Sequence, residues 1–263
     1  MSSKRQTNSA GLRRDIELLQ VLGKHEVEHR SGLGVIRIAE LAGREKTQVS
    51  RALATLAEQG LVDRDPKTLL YRLGWRLYSL SAQTYEAHLV SVVTPYLRRI
   101  AELVQETTHL CVLRQDEVLT LSTASPAHGF RAVWEGLTSP APSTSAGRVL
   151  ICEWDESAIR AKWSKEELAN AGGVRVFKST DEFVEELTKI RKQGFCIVDE
   201  EFEIGVVGCS APIRDAAGRI VAAINIGAPK ARLGAKLDQA AQITRKISRE
   251  ISSSLYSPHS NSK

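Results

Sequence analysis

The sequence predicts an α+β chain in two parts: a helical N-terminal unit that ends in a small hairpin, and a larger C-terminal unit built on an antiparallel sheet with helices on its faces. Three observations carry that expectation. The chain has 263 residues, 42% hydrophobic and 25% charged, enough apolar material for two cores of ordinary domain size. Before residue 75, apolar residues recur at helical spacing in three segments and then alternate across a tight turn. Beyond residue 108, most apolar segments alternate with period two, with helical patterns between and after them.

Leu12 to Leu22 places Leu12, Ile16 and Leu19 one turn apart and predicts an amphipathic helix. Val35 to Ala42 predicts a second, short helix stopped by Gly43. After the turn Arg44-Glu45-Lys46, Thr47 is placed to cap a third, whose apolar face is Val49, Ala52, Leu53 and Leu56 and whose stop is Gly60. Leu61 to Arg64 and Leu69 to Leu73, joined by Asp65-Pro66-Lys67-Thr68, predict a hairpin wing. Residues 11–75 therefore read as a winged helix-turn-helix and 76–92 as a linker helix. Thr94-Pro95, read as an N-cap with proline at the first helical position, opens a second domain over 93–255. Its strands are expected at His109 to Leu113, Glu117 to Leu121, Phe130 to Glu135, Phe195 to Val198, Val206 to Arg214 and Arg219 to Gly227, the last two joined by the turn Asp215 to Gly218. Helices are expected at Thr144 to Glu153, at Ser179 to Lys192 behind a Ser179/Glu182 capping box, and at Arg232 to Leu255. Residues 1–10 and 256–263 read as disordered tails.

Composition narrows the function. No apolar run is long enough to span a membrane, and the polar N-terminus is no secretion signal. The four cysteines, Cys111, Cys152, Cys196 and Cys209, form no CxxC and read as reduced thiols of a cytoplasmic protein. Of the formal +5 charge, most lies early: residues 1–75 carry 13 Lys/Arg against 9 Asp/Glu, as suits a nucleic-acid reader on a near-neutral body. The loudest catalytic pattern is His25-Glu26-Val27-Glu28-His29, a literal H-E-x-x-H, but the third ligand position is Val35 and no other histidine has a matching context. It reads as solvated charge. Gly32-Leu33-Gly34 lacks the third glycine of a dinucleotide loop, and Ser145 has no general base near it in sequence. No enzyme, metal or cofactor is expected.

The third helix is more informative. With Val49, Leu53 and Leu56 inward, Gln48, Arg51 and Thr55 point outward together. Gln48 and Arg51 are candidates for base readout, and Arg44, Lys46, Thr47 and Ser50 flank them for backbone contacts to double-stranded DNA. Arg64, Lys67 and Arg72 on the wing would meet the backbone beside the groove.

Ile38-Ala39-Glu40-Leu41-Ala42-Gly43, Thr47 to Leu56, Gly60-Leu61-Val62 and Tyr71-Arg72-Leu73-Gly74 resemble the winged helix of the IclR family of bacterial transcriptional regulators. Thr94 to Leu97, Thr144 to Arg148, Asp199 to Phe202, Gly205 to Pro212 and Ala222 to Pro229 are similar to segments of its effector domain. The resemblance implies a repressor or activator that works as a dimer or dimer of dimers, with a GAF-like domain for a small-molecule effector. Its rival is a binding or catalytic α+β domain whose N-terminal helices serve only assembly. Thr144, Ser145 and Ala146, where a loop enters a helix, make a seat for the carboxylate of a small organic acid. Gly208 and Ser210 share one strand face, as do Asn225 and Gly227; the resemblance places both faces, with Asp199, toward the effector pocket. Gly208 stands where the family has cysteine, and Asn225-Ile226-Gly227 where it has S-x-S, which favours a bulkier acid, aromatic rather than two- or three-carbon.

Overall fold

The structure, a computed structural model, describes residues 10–29, 31–127, 134–175 and 177–255. The expected tails, Ala10 apart, and most of the expected strand at Phe130 to Glu135 lie outside them. The chain forms two compact units, residues 1–88 and 89–263. Among the described residues no helix is long and apolar enough to cross a membrane.

In the first unit, α1 (Ala10–His29), α2 (Val35–Leu41) and α3 (Lys46–Glu58) close on a core of Leu18, Leu22, Ile38, Val49, Leu53 and Leu56. The strands β1 (Val62–Arg64) and β2 (Tyr71–Leu73) pair antiparallel, Asp63 facing Arg72, and Leu33 exchanges two backbone hydrogen bonds with Tyr71 on the other edge of β2. The hairpin tip is fastened by Asp65, whose Oδ1 accepts from the Lys67 and Thr68 N–H groups at 2.8 Å each. Helix α4 (Trp75–Ser81) follows Gly74, where a Cβ would lie 2.2 Å from the Gly60 carbonyl oxygen.

Helix α5 (Tyr85–Val104) corrects the Thr94-Pro95 start. It begins ten residues earlier, where Thr84 Oγ1 accepts from the Ala87 N–H, and runs straight through Pro95. An interior proline costs about 3 kcal/mol. The continuous face Leu89, Val93, Leu97 and Ile100, wholly buried on both sides of Pro95, returns about 1.5–3 kcal/mol per side chain and wins.

The second unit holds a six-stranded antiparallel sheet in the order β5-β4-β3-β8-β7-β6: β3 (Thr108–Arg114), β4 (Glu117–Ala124), β5 (Thr138–Pro140), β6 (Cys196–Asp199), β7 (Val206–Arg214) and β8 (Ile220–Pro229). One face, with Val207, Cys209, Ile224 and Ile226, packs on α5 and on α11 (Leu237–Ser254). The expected last helix is broken at Gly234, which separates a single turn, α10 (Lys230–Leu233), from α11. The other face, with Cys196, Val198 and Ala223, lies under α6 (Ser145–Ile151) and α9 (Thr180–Gln193). Two short helices, α7 (Glu156–Lys162) and α8 (Lys165–Asn170), fill the interval, and the complete capping box belongs to Ser164 and Glu167 of α8. At α9 the box is half made: Ser179 accepts from Glu182 N–H, but the Glu182 carboxylate turns to Lys178 N–H and Arg175.

Candidate functional site

The exposed side of α3 is the first site. Val49 and Leu53 are fully buried, so Lys46, Thr47, Gln48, Ser50, Arg51 and Thr55 face solvent. Among the described residues the side chains of Gln48 and Arg51 make no hydrogen bond, which leaves an amide and a guanidinium fork free for base edges. The helix cap is Glu45 rather than Thr47. Glu45 accepts from Gln48 N–H at 3.1 Å and from the Thr47 hydroxyl at 2.8 Å, and its bonds from Thr47, backbone first, hold the carboxyl below its usual range. The Thr47 hydroxyl proton is thus committed inside the protein. Arg44 is a further correction: its side chain is 14% exposed, and its guanidinium donates to the Arg14 carbonyl at 2.9 Å and lies 3.9 Å from Asp15, so it braces α1 instead of meeting a phosphate. The wing cations Arg64, Lys67 and Arg72 are exposed, with Arg64 over the Tyr71 ring.

The H-E-x-x-H residues sit in the last turns of α1. Glu26 Oε2 accepts from Leu73 N–H at 3.2 Å, tying α1 to β2, while the His25 and His29 rings stack at 4.3 Å and His25 Nε2 meets Ser31 Oγ at 3.2 Å. The pattern joins helix to wing.

The second site is a polar row on the α6 face of the sheet. Ser145 Oγ and Ser210 Oγ are 2.8 Å apart, and Asn225 Nδ2 donates to each at 3.0 Å. Ser210 pairs with Asn225 across β7 and β8, and Asn225 with His109 across β3, so these residues form one line. His109 Nδ1 continues it to Thr123 Oγ1 at 3.1 Å on β4. Beside the row, Gly208 faces Gly227. A Cβ at Gly208 would meet the Ile226 carbonyl at 2.8 Å, whereas one at Gly227 would touch only Asn225 Oδ1, at 3.9 Å. That oxygen accepts no hydrogen bond among the described residues. The row therefore offers an acceptor and a neutral imidazole, and at Gly227 an added Cβ would meet no other atom within 4 Å.

Other expected members do not join it. Asp199 pairs with Val207, one residue out of phase with Gly208, so it lies on the opposite face, exposed and 2.9 Å from Lys230 Nζ. The Thr144 hydroxyl accepts from Gly147 N–H as the cap of α6, and Ala146 is buried in the core beneath that helix. His109 and Thr123 were missed because only strand pairing brings them to Asn225. Burial pushes the Cys111, Cys196 and Cys209 thiols up to about 12 and the Cys152 thiol up to about 11, far from thiolate chemistry at neutral pH.

Burial also depresses His109, to about 4. The unfolded imidazole takes up its proton near pH 6.5, so stability is complete above that pH and falls as pH drops from 6.5 to about 4, by about 3 kcal/mol in all. Urea unfolding at pH 7, 6 and 5 is expected to show this loss before the carboxylates titrate, and His109→Gln to flatten it. An unchanged pH profile in the variant would contradict a buried neutral His109.

Two family profiles match the chain: the IclR helix-turn-helix domain over residues 12–66, and the bacterial transcriptional regulator IclR C-terminal region over residues 82–253. The chain is 29% identical to the HTH-type transcriptional regulator BhcR of Paracoccus denitrificans, over 93% of this chain and 88% of that one. It is 28% identical to the Pca regulon regulatory protein of Pseudomonas putida, over 76% and 68%. A solved IclR homolog from Microbacterium hydrocarbonoxydans, complexed with 4-hydroxybenzoate, superposes with a TM-score of 0.77 at 20% identity, over 93% of this chain and 98% of that one.

Proposed function

This chain belongs to the IclR family of bacterial transcriptional regulators, and we propose that it reads a near-palindromic operator as a twofold pair and answers to a small aromatic carboxylate held beside Asn225. It is an effector-modulated DNA-binding regulator, not an enzyme, which sets aside the reading of α1 to α3 as assembly helices only. Gln48 and Arg51 read bases; Lys46, Ser50, Arg64, Lys67 and Arg72 hold the backbone, with Thr47 as an acceptor only. One winged helix makes few contacts, and a second copy doubles them without new sequence. Trp75 and Tyr78, 63% and 80% exposed on one side of α4, support such pairing, as a dimer or dimer of dimers. The buried, unpaired thiols suit a cytoplasmic setting.

The observation that carries the effector reading is the polar row with space beside it: Ser145, Ser210, Asn225 and His109 under α6, next to Gly208 and Gly227. The fold-mate complexed with 4-hydroxybenzoate supports an aromatic acid as the occupant. The test is Gly227→Leu, whose Cβ would meet nothing nearer than Asn225 Oδ1 at 3.9 Å. In wild type, saturating 4-hydroxybenzoate is expected to change the affinity for a promoter duplex by about 5- to 150-fold. In the variant the ligand-free affinity is expected to stay within about twofold, on the reasoning that α3 is untouched, and the response to vanish. A surviving response would put the pocket elsewhere.

A further inference from the structure

A second cleft in the C-terminal unit, of about 370 Å³, opens where the end of α9 meets α11 and the end of β7. It is lined by Arg191, Lys192, Arg214, Arg245 and Arg249, and by no carboxylate among the described residues. Among the described residues only Arg214 is neutralised by an ion pair, with Glu153 from outside the lining, through contacts of 2.6 and 2.9 Å. Two others are oriented by neutral carbonyls: Arg191 donates to the Cys152 oxygen at 2.8 Å and the Trp154 oxygen at 3.1 Å, and Arg245 to the Gln193 oxygen at 3.0 Å. Such bonds fix a guanidinium without cancelling its charge. Lys192 and Arg249 are exposed at the rim.

A structural reason covers part of this. Cations at the C-terminal end of α9 meet a helix dipole worth about half a charge. Arg191 also lines a neighbouring cleft with Glu153, Asp155 and Glu156, but Lys192, Arg245 and Arg249 have no carboxylate partner among the described residues, and a bound anion relieves their mutual repulsion. Planar guanidinium forks match phosphate oxygens two at a time. One carboxylate or one phosphate would leave part of this charge unmet, and a volume near the lower end of ligand clefts, about 300–1,000 Å³, suits a small molecule better than a duplex.

We propose that this cleft binds a small molecule carrying two or more phosphate groups, at a site built from residues other than those of the Ser145–Ser210–Asn225 row. The inference does not rest on the effector reading. Inorganic pyrophosphate is the probe, titrated calorimetrically into the full chain at fixed ionic strength. Saturable binding at one site per chain is expected, with orthophosphate at least tenfold weaker. The double variant Lys192→Gln/Arg249→Gln, which removes two exposed charges and no hydrogen bond among the described residues, is expected to weaken pyrophosphate at least tenfold. Arg245→Gln is expected to do the same where its thermal midpoint matches wild type. No saturable binding, equal affinity in the double variant, or orthophosphate as tight as pyrophosphate would each overturn the proposal. So would a double variant that keeps pyrophosphate but loses non-operator duplex, which would mark a DNA surface, or one that keeps pyrophosphate but changes sedimentation mass, which would mark a subunit contact.

Discussion

Arg51→Ala is expected to lower affinity for the operator by about 1–3 kcal/mol while leaving binding to scrambled duplex nearly unchanged. Arg51 stands centrally on the exposed face of α3, one turn after Gln48, and no carboxylate among the described residues accepts a hydrogen bond from its guanidinium, Glu45 acting on it through charge alone. A bidentate Arg–guanine contact is worth about that much discrimination. Lys67→Ala makes the contrast, because Lys67 stands on a wing tip held by Asp65 and is proposed to meet phosphate alone. It is expected to weaken operator and scrambled duplex alike and to reduce the salt slope by about one. Fluorescence anisotropy with both duplexes at three salt concentrations separates the two. Equal losses on both duplexes for Arg51→Ala would remove Arg51 from base readout.

The second large effect is on stability. A Cβ at Gly147 would lie 2.1 Å from the Ala141 carbonyl oxygen and 2.4 Å from its Cα, on backbone that cannot swing aside as a flexible side chain would. α6 lies against the single 3-10 turn Ala141–Ser143, and both are wholly buried apart from the Thr144 cap. Gly147→Ala is therefore expected to cost about 3 kcal/mol or more, at the upper end of overpacking penalties, measured by denaturant unfolding of the C-terminal unit. Gly227→Ala, with its Cβ in open contact, is the control and is expected to fall within about 1 kcal/mol of wild type. A wild-type midpoint for Gly147→Ala would contradict the close approach of α6.

The parts legible in the sequence are those fixed by short-range pattern. The apolar face of α3 follows from Val49, Leu53 and Leu56; the wing from two short strands around Asp65-Pro66; the β7–β8 hairpin from Asp215 to Gly218, where Gly218 takes a φ of 79°. What failed depended on distant partners. Thr94-Pro95 has the local form of a helix start, yet the sheet buries the residues on both sides of it and keeps α5 whole. Arg44 looks free until folding places the Arg14 carbonyl, 30 residues away, within 2.9 Å. Asp199 was placed by likeness rather than by period, and the period puts it on the wrong face. Conversely, His109 and Thr123 enter the polar row because β3 lies between β4 and β8, an order no local pattern states.

A ligand bound beside Asn225 is expected to be coupled, within one chain, to DNA held by α3. Coupling of equilibria is reciprocal, so the factor by which ligand changes DNA affinity must equal the factor by which DNA changes ligand affinity. Calorimetric titration of 4-hydroxybenzoate into the full chain, alone and saturated with promoter duplex, measures it directly. Two ligand affinities are expected that differ about 5- to 150-fold, by the same factor found from duplex binding with and without ligand, and one shared affinity in Gly227→Leu if any binding persists. Identical wild-type ligand affinities with and without the duplex would contradict it.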